Sequence, residues 1–278
     1  MMMNAWKTVL AVALGAALAV PAAWAQKAPQ AKSQKEVDAL QAVQKAVGPD
    51  AQLKAIDYVL ENFADTEFKV PLLQMGMQIA EQKGDFAMTV TYGERTLEAD
   101  PKNIFAQATL ALEIVAHTRE FDLDKEEKLA KAEKYANQAI ANAKDSPKMR
   151  PDITDEQWNN VKKDIAAQAH DSLGRLAALR KKYDVSIAEF KTSLDVGATP
   201  DSTTMVRLGD AYLQTGKFDD AIVLFDKAAA VPNAPAAVKS VAASRKADAL
   251  KMKEKAAGGS KPATPPPATP PGQVEIKK

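Results

Sequence analysis

Apolar side chains recur at three- and four-residue intervals from residue 33 to residue 255, and no segment alternates with the period of two that a strand needs. The helical runs come in pairs. "SQKEVDALQAVQKAV" is broken by Gly48-Pro49-Asp50 and answered by "AQLKAIDYVLENFAD". A second pair, from Val70, turns at Gly84-Asp85-Phe86 and stops at Asp100-Pro101, where the next helix begins. A polar connector with two prolines, "DSPKMRPDITDEQW", then leads into a long helix capped by Thr154 or Asp155 and expected to run to about Lys182. Further on, Leu173-Gly174, Tyr183 and Phe190 return as Leu208-Gly209, Phe218 and Phe225, each 35 residues later. A fixed period of this size marks a solenoid of stacked helix pairs, each with an apolar stripe it cannot cover alone. The lysine-rich amphipathic run Ala236 to Ala256 is the predicted capping helix.

One copy is specific. Residues 205–232 place Met205, Leu208, Gly209 and Tyr212 at the spacing of a first helix, and Ala221, Phe225, Ala228 and Pro232 at that of a second. This stretch resembles the tetratricopeptide repeat (TPR) family, with methionine in place of the family's tryptophan. Residues 70–103 match less closely, because Met77 stands where a small residue is usual, so the helix contact there is expected to be looser or shifted. Residues 104–144 open on Leu110-Ala111 and carry about nine extra residues around "TREFDLDKE", while Ala132 and Ala139 fit the second helix. Residues 167–200 have Ser186 and Ser193 where alanine is usual, and residues 34–68 are only repeat-like. The resemblance implies an all-α fold, a right-handed α-solenoid of antiparallel helix pairs. It also implies that the first helix of each pair lines a concave groove for protein or peptide partners. By position, the groove-facing residues would be Gln74, Gln78, Leu112, Asp171, Arg175, Arg207, Asp210 and Gln214. The family's carboxylate-clamping pattern of Lys, Asn and Arg is not present, and the four charged residues of this set could instead pair with one another.

The two ends of the chain differ from its middle. Lys7 is the only charged residue among the first 25; an apolar run from Val9 to Val20 follows, then "PAAWAQ" with Ala23 and Ala25 in an A-x-A pattern. This reads as a cleavable export signal, removed after Ala25, and the run is short for a membrane span. A periplasmic or secreted protein is the corresponding expectation. At the other end, six prolines between Pro262 and Pro271 predict a disordered, extended tail. The expected organisation is therefore a signal at 1–25, amino-terminal helix pairs at 26–144, the long helix with the carboxy-terminal repeats and cap at 145–255, and the tail at 256–278.

Composition and motifs narrow the chemistry. Thirty-seven basic residues nearly balance 36 acidic ones, for a net charge of +1, without the basic excess of a nucleic-acid binder. The absence of cysteine excludes disulfides, thiolate nucleophiles and Cys-type zinc sites. Gly209 and Gly216-Lys217 superficially suggest a phosphate loop, but the spacing is wrong and Phe218 stands where a hydroxyl must bind magnesium. His117 and His170 lack HExxH spacing, and "DLDKEE" lacks the glycine of a calcium loop. Trp158 reads as a core anchor and "KAEKYANQAIANAK" as a solvated face. No catalytic residue, cofactor, metal or small-molecule substrate is expected. The function expected is a non-catalytic interaction scaffold of the cell envelope; the alternative is a structural spacer anchored through the proline-rich tail.

Overall fold

A computed structural model describes residues 29–150 and 152–258; the segment 1–25 expected to be an export signal and the prolines of the expected tail, Pro262 to Pro271, lie outside the described residues. Eleven helices follow one another there, with no strand among the described residues. They are α1 (Gln34–Lys45), α2 (Pro49–Asn62), α3 (Lys69–Lys83), α4 (Phe86–Ala99), α5 (Ile104–Ala116), α6 (Lys125–Ala143), α7 (Asp155–Leu179), α8 (Tyr183–Val196), α9 (Ser202–Gln214), α10 (Phe218–Ala230) and α11 (Ala236–Gly258).

Local chemistry sets the boundaries. Pro49 opens α2, where a missing N–H costs nothing. Asp85, Asn103 and Asp201 cap α4, α5 and α9 by accepting hydrogen bonds from first-turn backbone N–H groups. Thr154 is the cap of α7 and forms a reciprocal capping box with Gln157. Gly84 (φ 69°) and Gly216 (φ 73°) turn the chain between paired helices in the left-handed region. Helix α7 stops at Leu179, short of Lys182, because Lys181 takes a left-handed conformation (φ 58°). Helix α11 runs to Gly258, into the segment expected to be tail.

Within each pair glycine permits the close approach. A Cβ on Gly209 would lie 2.5 Å from the Phe225 ring, and one on Gly174 would lie 2.5 Å from Phe190. Both rings are almost fully buried. The same contact recurs in the second pair, where a Cβ on Gly76 would lie 2.6 Å from Tyr92. Gly76, not Met77, is therefore the small residue there: the contact is shifted by one position. The alanine-rich α6 also differs from the solvated face expected of it, because Ala132, Ala136, Ala139 and Ala143 form a buried stripe against α5 and α7.

Every helix packs on its neighbours in sequence. In addition, first helices contact first helices, α3 on α5, α5 on α7, α7 on α9 and α9 on α11, with no comparable packing of second helix on second helix among the described residues. First helices that touch while second helices are held apart put the first helices on the inside of the curve. The long α7 spans about 37 Å at 1.5 Å per residue, and it packs on α5 and α6 as well as on α8 and α9. Trp158, at its start, is buried against Phe105 and donates its indole N–H to the Ser146 carbonyl at 2.9 Å.

Candidate functional site

A cavity of about 660 Å³ opens on the inner side at the carboxy-terminal end, walled by α7, α9 and α11. Arg175 enters from α7; Arg207, Asp210 and Gln214 come from α9; Arg245, Asp248, Lys251 and Met252 come from α11. Ala178, Tyr183, Ala211 and Leu213 supply an apolar floor. Helical spacing explains the convergence. Gly174 and Gly209 face their partner helices, so the next residue in each case, Arg175 or Asp210, projects to the inside. Arg245 follows Asp210 by the same 35 residues, so one position of three successive first helices reads Arg, Asp, Arg.

The charges are not equivalent. Asp171 is buried, and both its carboxylate oxygens accept from Arg207 Nη1, at 2.9 and 2.8 Å. The Thr204 hydroxyl lies 2.9 Å from Asp171 Oδ1 and 2.8 Å from Asp201 Oδ2, with one proton to give. Asp171 and Arg207 thus form a bridge between α7 and α9 that is internal to the wall. Asp210 forms an ion pair with Arg245, Oδ1 lying 3.1 Å from Nε, which ties α9 to α11. Burial, together with the nearby charge of Asp248, pushes the Asp210 carboxyl above its ordinary range, against the pull of Arg245. Arg175 has no hydrogen bond or ion pair among the described residues. Burial and the charge of Arg207 push its guanidinium below the usual arginine value, against Asp171 and Glu113. It nevertheless stays a cation at neutral pH.

The eight groove candidates separate. Arg175, Arg207, Asp210 and Gln214 come together in this cavity. Asp171 sits behind it as the buried anchor of Arg207. Gln74 is buried far from it, donating from Nε2 to Asn103 Oδ1 at 2.8 Å beside a second cavity of about 680 Å³ that Trp158 also lines. Gln78 and Leu112 are half-buried and line neither cavity. The one-residue shift at Gly76 accounts for Gln78, which no longer holds the position of Asp210, since one residue turns a helix by about 100°. Gln74 keeps the position of Arg207 relative to the glycine but lies in an earlier pair of the stack. The α11 side chains were missed because that run reads as a solvated cap. The 35-residue step from Asp210 to Arg245 was the available signal.

No protein-family model matches the chain, and no curated protein matches it. Solved structures do. A thermophilic TPR protein of Thermus thermophilus superposes with a TM-score of 0.52 at 18% identity, covering 73% of this chain and 91% of that one. The MamA protein gives a TM-score of 0.38 at 16% identity over 72% of this chain and 99% of that one, too low a similarity to bear on this chain. The architecture is therefore the TPR fold, an all-α solenoid of helix pairs.

Proposed function

We propose that this is an exported, non-catalytic scaffold of the cell envelope that holds a segment of a partner protein in its concave groove. The observation that carries the reading is the cavity between α7, α9 and α11, open to the inner face, floored by apolar side chains and holding an arginine without a hydrogen bond or ion pair among the described residues. Such a preformed groove binds by shape and charge and leaves no reacting group to move. Of its two acids Asp210 pairs with Arg245, and Asp171, behind the wall, pairs with Arg207. That leaves their role structural rather than chemical. Export supplies the location: the N-terminal apolar run and the A-x-A pattern at Ala23 and Ala25 support processing to Gln26.

A photo-crosslinking amino acid in place of exposed Gln214, in cells making the full chain, tests this. A discrete partner is expected in the envelope fraction, diminished by Arg175→Glu, with the purified protein beginning at Gln26. Arg207 is a poor choice for the same test, because its loss strands the buried Asp171. Crosslinks that Arg175→Glu leaves unchanged would remove the groove from the assignment, and an unprocessed cytoplasmic protein would remove the location.

A further inference from the structure

We infer that the segment held in this cavity presents a carboxylate to Arg175 with an apolar side chain beside it. The inference rests on the groove reading above and specifies its ligand. Four cations and two acids line the cavity. The pairings within the wall engage Arg207, Arg245 and Asp210 and leave Arg175 and Lys251 without a hydrogen bond or ion pair among the described residues. Of these two only Arg175 is partly buried, Lys251 being exposed. Arg207 is held by Asp171 at 2.8 Å, and Asp210 holds Arg245 at 3.1 Å. Arg175 lies beside the first of these pairs with no hydrogen bond of its own among the described residues. A guanidinium in that position has lost part of its hydration and feels the charges of Asp171 and Glu113 without hydrogen bonds to them, so an incoming carboxylate supplies the paired acceptors it lacks. Asp171 makes no hydrogen bond to it: both its oxygens accept from Arg207, and the Thr204 hydroxyl lies 2.9 Å from Oδ1. The same cavity lining has an apolar part, to which Tyr183, Leu213 and Met252 belong. Met252 is unbranched and exposed enough to adapt to an apolar side chain.

Panning a library of random decapeptides against the full-length protein tests the pairing. One format displays the peptides with a free carboxy terminus, the other within a loop. Wild type is expected to enrich peptides with an acid next to an apolar residue. In the loop format the acid must be a side chain, so enrichment confined to the free-terminus format would assign the carboxylate to the chain end. Arg175→Gln should weaken the enriched peptides by about ten- to hundredfold, with Arg175→Lys between the two. Arg175→Gln removes no existing partner, and an unchanged thermal midpoint confirms that it is folded. Enriched peptides are then crosslinked from position 214. Peptides without an acid that crosslink there would overturn the carboxylate and leave the groove standing. Acidic peptides that bind Arg175→Gln as well as wild type would do the same. No enrichment at all, or enriched peptides that fail to crosslink from position 214, would overturn both.

Discussion

At the scale of single residues, side chains of the same type have opposite roles. Arg207 neutralises buried Asp171 through direct hydrogen bonds, whereas Arg175 has no hydrogen bond or ion pair among the described residues. Changing Arg207 to Gln should cost about 1–3 kcal/mol, less than for a fully enclosed pair because its side chain is 30% exposed. Arg175→Gln should leave stability level or raise it slightly, and urea unfolding of the two variants checks the contrast. The serines of the eighth helix differ in the same way. Ser193 donates to the Ala167 carbonyl at 2.8 Å, whereas the fully buried Ser186 hydroxyl has no hydrogen-bond partner among the described residues. Thirty-five residues on, both positions are alanine, Ala221 and Ala228. Ser186→Ala should therefore stabilise by about 1 kcal/mol and Ser193→Ala should not, measured in the same way. Asp210 predicts a pH effect. Its folded carboxyl titrates above the ordinary 3.8, so the native state holds its proton longer than the unfolded chain does. Stability from this group is present below 3.8 and declines as pH rises through the raised value. Thermal midpoints against pH should show that decline in wild type and its loss in Asp210→Asn.

Among elements, the repeated unit is a glycine on a first helix under an aromatic ring on the second. Phe225→Ala should cost about 3–5 kcal/mol through the cavity it leaves, and Gly209→Ala about 1–3 kcal/mol by driving a methyl group into the ring. The two changes share one space. Gly209→Ala should therefore cost distinctly less in the Phe225→Ala background, and additive losses in chemical unfolding would show that the contact is not the source of the penalty. Helix α11 is held differently. Its buried seam is two alanines, Ala242 and Ala249, so little apolar area fastens it despite its length. Ala242→Asp should release its backbone to hydrogen exchange while α3 remains protected.

Over the whole molecule, contacts run between neighbours along the stack, so a lesion at one end should stay local. The same dependence on neighbours decides what could be read without a structure. The period of 3.6, the turn glycines and the 35-residue echo of Gly174 and Phe190 in Gly209 and Phe225 are local or strictly periodic signals, and they were sufficient for helix pairs and their stacking. They were also sufficient to bring Arg175, Arg207, Asp210 and Gln214 to one face. They failed where a contact could be met by either of two adjacent residues, as with Gly76 and Met77, because a one-residue shift redirects every side chain on that helix. They failed again where a helix takes its meaning from what it closes. Nothing local distinguishes the alanine seam of α6 or α11 from a solvated face; the packing of α5 and α7 on one, and of α10 on the other, does. A stack of paired helices with charges along its inner face follows from spacing along the chain alone. Which of those charges engage each other, leaving Arg175 without a hydrogen bond or ion pair among the described residues, emerges only once the helices are packed, because pairing depends on distances across three helices that no linear spacing encodes.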